Sequence, residues 1–220
     1  MNIEYLKKIA AEAALEYIRD NINIGIGTGT TVNYFIDALP SIKHRIKNIV
    51  CSSINSTKKL QKLGFSLVEM NDIDTIDIYV DGADEINNKL QMIKGKSGAA
   101  ITGEKILASI AKKFICIADK SKKVDILGKL PIPIEIIPIA RNCIIKKIIN
   151  LGGMPVYRKD TLTDYGNQII DIWNLNIIDP KKLEQIMNNI PGIVTNGLFA
   201  HNTADILLLG TDNGVQKYMI

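Results

Sequence analysis

Histidine, cysteine, arginine and aromatic residues are all scarce in this chain. Among 220 residues there are two histidines and three cysteines, and aromatics make up 5%. Cys51, Cys116 and Cys143 are odd in number and show no Cys-x-x-Cys spacing. That argues against a disulfide framework or a thiolate zinc knuckle, and predicts inert thiols in a reduced, cytoplasmic protein. His44 and His201 have no partner at metal-ligand spacing, so neither is assigned a role. Arg19, Arg45, Arg141 and Arg158 are the only guanidinium groups, so bidentate forks for bases or carboxylates are few. The net charge of +4 is the balance of 27 basic and 23 acidic residues, without a polybasic block. Nucleic acid is therefore not an expected partner. No apolar run reaches the ~18 residues of a membrane span, and a membrane partner is not expected either. The N-terminus has no signal-peptide pattern, and repeats and low-complexity linkers are absent.

What is present is a hydrophobic share of 46%, enough for one sizeable core with a smaller second one. The first half alternates helix and strand. Ile3, Leu6, Ala10, Ala13 and Tyr17 predict a helix over 3–19, and Val32, Phe35, Ile36 and Leu39 predict another over 31–39. Ile22–Ile26, Ile49–Cys51, Phe65–Met70, Ile76–Val80 and Phe114–Ala118 read as strands. Ser56 is the expected cap of a helix ending at Gly64, and Glu104–Lys113 reads as helix. Repeated strand–helix units predict an α/β, Rossmann-like, mostly parallel sheet with helices on both faces. After Gly128 the pattern changes. Ile132–Ile136, interrupted by prolines, predicts an edge strand. A helix is expected over 142–151. Val156–Thr163 and Gln168–Trp173 flank the turn Asp164-Tyr165-Gly166-Asn167, a hairpin signal. A helix over 181–189 and a strand over 193–199 complete a split βαβ, ferredoxin-like order. The expected organisation is a catalytic α/β domain (1–128 and 201–220) carrying a small α+β domain (129–200). The apolar run Ala204–Leu209 is placed back in the first sheet.

Four polar clusters follow strands of the first sheet, whose carboxyl ends share one edge where ligands bind. Gly25-Ile26-Gly27-Thr28-Gly29-Thr30-Thr31 leads into a helix, and close backbone approach plus free N–H groups suit a phosphate there. The loop is neither a Walker motif nor a dinucleotide fingerprint, and a plain glycine turn with a Thr cap fits it as well. Asp81-Gly82-Ala83-Asp84-Glu85 crowds three carboxylates on one turn, with Asp81 and Asp84 spaced to face one pocket. Such a group holds a polar ligand, a metal or a proton in transit, or is a solvated acidic turn. No His or Cys joins it and Lys94 opposes a cation, which disfavours Mg²⁺ or Ca²⁺. Lys94-Gly95-Lys96-Ser97-Gly98-Ala99-Ala100 is a donor-rich loop leading to Glu104. Glu104 suits a general base, or merely complements a helix dipole. Lys122, in Asp119-Lys120-Ser121-Lys122, suits an anion or solvent.

Together these segments resemble the type A ribose-5-phosphate isomerase family. The likeness runs through residues 25–31, 79–86, 91–95, 99–105, 114–122, 124–129 and 191–199, in order and over nearly the whole chain. It implies interconversion of ribose 5-phosphate and ribulose 5-phosphate in the non-oxidative pentose phosphate pathway, without metal or organic cofactor, by a homodimer or homotetramer. By that likeness Glu104 is the proton-transferring base, and Asp81 serves sugar-oxygen proton transfer and ring opening with Asp84 beside it. Lys94 stabilises the developing oxyanion. Thr28, Gly29, Thr30, Thr31, Gly82, Ala83, Gly95, Lys96, Ser97, Gly98 and Lys122 contact substrate, with Lys7 at the phosphate end. One departure stands out. The family's Lys-Gly-Gly-Gly-Ala is one residue longer here and poorer in glycine, so Lys96 and Ser97 either crowd the substrate or bulge outward. Gly103 stands where the family often has Arg. A non-catalytic sugar-phosphate sensor and an amino-sugar phosphate deaminase are the competing expectations. The first lacks an effector domain and the second lacks a suitably placed His.

Overall fold

The structure, a computed structural model, describes residues 2–97 and 100–219. Its helices are α1 (Ile3–Ala14), α2 (Thr30–Ala38), α3 (Ile54–Lys62), α4 (Ile101–Ile110), α5 (Arg141–Asn150) and α6 (Pro180–Asn188). The strands of the first half are β1 (Ile22–Ile26), β2 (Ile46–Cys51), β3 (Ile78–Asp81), β4 (Glu85–Ile86), β5 (Met92–Ile93) and β6 (Phe114–Asp119). The remainder are β7 (Ile132–Ile136), β8 (Met154–Tyr157), β9 (Gln168–Trp173), β10 (Ile193–Asn196), β11 (Leu198–Phe199), β12 (Ile206–Thr211) and β13 (Gly214–Met219).

The six-stranded sheet has the order β13-β12-β6-β3-β1-β2, parallel except for the β12–β13 hairpin. Its central strands β1, β3, β6 and β12 are buried on both faces, so their side chains alternate between two cores. Ile115, Ile117, Ile206 and Leu208 meet the α1–α3 side, packing with Ala11, Val32, Phe35 and Leu60. Cys116, Leu207, Leu209 and Tyr79 meet Leu107 and Ala108 of α4 on the other. Each such aliphatic side chain contributes about 1.5–3 kcal/mol on burial. β1 lies between β2 and β3, so the loops after β1 and β3 flank the crevice where the strand order reverses.

The second unit is a four-stranded antiparallel sheet, β10-β7-β9-β8, with its own apolar cluster around Ile134, Ile144, Ile148, Ile170 and Met187. The strand–helix–strand–strand–helix–strand order matches the expected split βαβ. A three-stranded ribbon, β11-β5-β4, joins the two units.

Several local expectations are corrected. β7 is an interior strand, between β10 and β9. Pro133 fits there because Gly197, just past the end of β10, donates its N–H to the Pro133 carbonyl while its own carbonyl accepts from Lys94 N, so no acceptor waits for the missing N–H. Phe65–Met70 is not a strand: Val68 N bonds to Ile49 O, but no ladder forms. The α3 cap is Ser53, whose Oγ accepts from Ser56 N. α1 tightens into a 3₁₀ turn at Leu15. The hairpin turn at 163–167 exists, yet β8 ends at Tyr157. The run 193–199 divides between two sheets, because Leu198 and Phe199 pair with β5. β13 is an additional strand that returns beside β12. Burial pushes the Cys51 and Cys116 thiols up to about 12, as inert thiols require, although Cys51 is only part-buried and Cys143 is exposed.

Candidate active site

The carboxyl ends of β1, β3 and β6, the loop after β5 and the first turn of α4 enclose a cavity of about 380 Å³. Thr28, Gly29, Thr30 and Thr31 line one side, Gly82, Ala83 and Asp84 another, and Lys94, Gly95, Lys96, Ser97 and Glu104 a third. Lys122 closes the rim. Val32 also lines it and was not anticipated. Gly98 lies outside the described residues. Lys7 is not among the residues lining the cavity; its Nζ pairs with Glu4 Oε1 at 2.7 Å, three residues earlier on α1.

Gly29 is the N-cap of α2, at φ +117°, and brings no side chain to the helix end. The first-turn N–H groups of α2 and the positive end of its dipole therefore open toward the cavity beside three Thr hydroxyls. Gly27 is demanded by packing: a Cβ there would lie 1.9 Å from Asp81 Cγ.

Asp81 was expected to face the pocket with Asp84. It is instead fully buried, below the cavity wall. The strand period explains this, since residues 79 and 81 share the face toward α4. Oδ1 accepts from Thr28 N at 3.1 Å and Gly82 N at 2.7 Å. Oδ2 accepts from the Tyr79 hydroxyl and pairs with Lys94 Nζ at 2.8 Å. Tyr79 is a polar residue of the site that the apolar run Ile76–Val80 hides; its i, i+2 spacing to Asp81 is the signal that marks it. Burial first, and then the charges of Asp81 and Glu104, hold its hydroxyl protonated well above the ordinary range. Glu85 leaves the carboxylate cluster altogether: it accepts from Gly128 N and Leu130 N and anchors the crossing into the small unit.

Lys94 Nζ has three partners: Gly82 O at 2.6 Å, Asp81 Oδ2 at 2.8 Å and Glu104 Oε1 at 3.5 Å. It also stands 5.5 Å from the Phe199 ring centroid. Burial alone would lower its pKa, but the two carboxylates outweigh that and keep it cationic. Glu104 is 3% exposed, and its Oε2 has no hydrogen-bond partner. Its pKa is pushed up to about 8, chiefly by burial; Lys94 opposes the rise, and Asp81 and Asp84 add to it. The result is a buried carboxyl with one free oxygen at a cavity wall and a cation beside the other oxygen. Such a group can accept and return a proton near neutral pH.

The described part of the lengthened loop sits at the cavity rim. Lys96 and Ser97 are exposed, neither has a positive φ, and Lys96 N donates to Asp84 Oδ2 at 2.8 Å. Gly103 is also explained, since a Cβ there would lie 2.2 Å from Ser52 O. Among the described residues, no group of three or more His, Cys, Asp and Glu side chains is arranged to hold a metal ion. No helix of the described chain is long and apolar enough to cross a membrane.

The pattern of the family described as ribose 5-phosphate isomerase A (phosphoriboisomerase A) matches residues 48–214. The chain belongs to this family. It is 54% identical over 215 residues to the ribose-5-phosphate isomerase A of Baumannia cicadellinicola subsp. Homalodisca coagulata, covering 97% of this chain and 96% of that protein. The crystal structure of ribose 5 phosphate isomerase A from Neisseria gonorrhoeae superposes with a TM-score of 0.97 at 44% identity, over 99% of this chain and 97% of that one. A D-ribose-5-phosphate isomerase in complex with phospho-erythronic acid gives 0.95 at 38% identity, over the full length of both chains.

Proposed function

We propose that the cavity interconverts D-ribose 5-phosphate and D-ribulose 5-phosphate, as an aldose–ketose isomerase of the non-oxidative pentose phosphate pathway. The observation that carries this reading is Glu104: a buried carboxyl with an unpartnered oxygen at the cavity wall, beside the buried cation of Lys94. Family membership and the sugar-acid phosphate held by a relative point the same way.

In this reading the phosphate rests on the N-terminus of α2, with the hydroxyls of Thr28, Thr30 and Thr31 and the Lys122 ammonium around it. Gly82, Ala83, Gly95, Lys96 and Ser97 line the sugar. Ionised Glu104 takes the proton from C2. The electrons of that C–H bond form the C1–C2 double bond of the enediolate, and the C1 carbonyl electrons move onto O1. Protonated Glu104 then returns the proton to C1, O1 gains a proton, and O2 loses its own as the C2 carbonyl forms. No electrons leave the sugar, so the step needs no redox partner. Neutralising Glu104 weakens its hold on Lys94, which frees an Nζ–H for the growing charge on O1. Asp84, at the wall, handles the sugar hydroxyl protons, including those of ring opening. Asp81, sealed below, acts through Lys94.

The same reading takes residues 1–128 with 201–220 as the catalytic domain and 129–200 as the small domain. It places the protein in the cytoplasm as a homodimer or homotetramer. Light scattering of the purified chain tests the assembly, and a monomer at working concentration refutes it. The functional test is conversion of ribose 5-phosphate followed by ribulose 5-phosphate formation. Turnover is expected; binding without turnover would favour a sensor.

A further inference from the structure

Lys94 and Glu104 are joined by the segment 95–103, and both ends of that segment are held from the small unit. Arg158, after β8, donates from Nη1 and Nη2 to Gly95 O, each at 3.3 Å. Its fork is fixed by Asp171 of β9, through Nε at 2.7 Å and Nη2 at 2.6 Å. At the other end Thr102 Oγ1, two residues before Glu104, donates to Glu135 Oε2 at 2.6 Å. Glu135 sits on β7 and is fully buried. Its other oxygen accepts from Thr163 Oγ1 and Asn167 Nδ2, both at 2.8 Å. Those two residues close the turn after β8. In the same turn, Asp164 Oδ2 accepts from Ile54 N at the start of α3.

Among the described residues Glu135 has three neutral donors and no cation. A sealed carboxylate without a counter-charge is an expensive way to join two units that already share apolar surface. What it provides is direction. Hydroxyl and amide donors at short range fix the rotation of the first turn of α4, and that turn aims Glu104. A misplacement of about 1 Å in such a group can cost about a hundredfold in rate.

We propose that Thr102, Glu135 and Arg158 are positioning residues, forming a brace that holds Gly95 beside Lys94 and Thr102 beside Glu104 and so sets the geometry of the pair. The brace touches no cavity-lining atom of the sugar site except Gly95. Its role in turnover rests on the isomerase reading given above; its role in holding the backbone does not.

The test uses the full chain with Thr102→Val, which removes one hydroxyl at constant shape, Thr102→Ser, which restores it, and Arg158→Lys, which keeps the charge and loses the fork. Amide hydrogen exchange over 95–105 is measured beside steady-state kinetics. In Thr102→Val, exchange over 101–105 is expected to rise about tenfold. Its kcat is expected to fall tenfold to about a hundredfold with KM within about twofold. Water reaching Glu104 should also move the acid limb of kcat to lower pH. Lys94, Asp81, Asp84, Tyr79 and Lys105, the titratable groups whose charge Glu104 feels or shifts, are unchanged in this variant. Thr102→Ser should recover all three properties, and Arg158→Lys should raise exchange near Gly95. Exchange in Thr102→Val and Arg158→Lys equal to wild type overturns the brace. So does a loss of kcat in Thr102→Val that Thr102→Ser leaves uncorrected. If the wild-type chain fails to convert ribose 5-phosphate, the isomerase reading falls and the exchange data decide on the brace.

Discussion

Lys94 Nζ stands 3.5 Å from Glu104 Oε1 and 2.8 Å from Asp81 Oδ2. The ammonium is thus tightly bound to the carboxylate that is sealed off and loosely bound to the one at the cavity wall. This asymmetry lets one lysine stay charged and still turn an N–H toward a substrate oxygen.

The raised pKa of Glu104 sets the pH dependence. The base must be ionised to act, so kcat/KM should climb with pH and level off above about 8. A pH–rate profile of the free enzyme checks this, and an acid limb near the ordinary carboxylate range contradicts it. Stability should run the other way. The folded state holds this proton at pH values where the unfolded chain has lost it, so Glu104 subtracts stability progressively between the ordinary Glu pKa and about 8. The melting temperature of Glu104→Gln minus that of wild type should therefore grow from pH 5 to pH 9.

Removing the cation should be costly. Lys94→Met leaves Asp81 and Glu104 buried without their counter-charge, and breaking such a pair costs about 3–5 kcal/mol. Urea denaturation is the measure. The double variant Lys94→Met with Asp81→Asn should recover part of the loss, because one of the stranded charges is then gone. A double variant less stable than Lys94→Met alone would contradict this.

Gly27 has no room for a methyl group, since the Cβ would meet the Asp81 carboxyl. Gly27→Ala should lose about 1–3 kcal/mol in urea denaturation through forced displacement of that carboxylate. Activity should drop with it, because Asp81 anchors both Lys94 and the Thr28 backbone. Unchanged stability would mean that Asp81 moves freely.

Dialysis against EDTA should leave the rate of ribose 5-phosphate conversion unchanged. In the proposed step Lys94 supplies the positive charge beside the reacting oxygen. A loss of activity that Mg²⁺ restores would assign that charge to a metal held by the Asp81–Asp84 turn.

Much of this was legible in the residues because buried parallel strands are continuous apolar runs. β1, β3, β6 and β12 stand out that way, and the polar loops after the first three fall at one sheet edge. The small unit was legible as an order of elements and less so in detail. Pro133 suggested an edge, since the pattern does not reveal that β10 stops just short of it. β13 escaped because Gly214-Val215-Gln216-Lys217-Tyr218-Met219 is half-wet and lacks clean alternation. β4, β5 and β11 are two residues long, too short for any period. The sealing of Asp81 and the brace from Glu135 and Arg158 are tertiary facts. They join positions tens of residues apart, and no local spacing carries them.

The decisive measurement is the turnover of ribose 5-phosphate by wild type and by Glu104→Gln at pH 8. Gln keeps the shape and cannot take the proton from C2. Wild type should form ribulose 5-phosphate, while Glu104→Gln should bind with a KM within about threefold and turn over at least ~100-fold more slowly. A Glu104→Gln protein with the wild-type kcat would remove Glu104 from the chemistry.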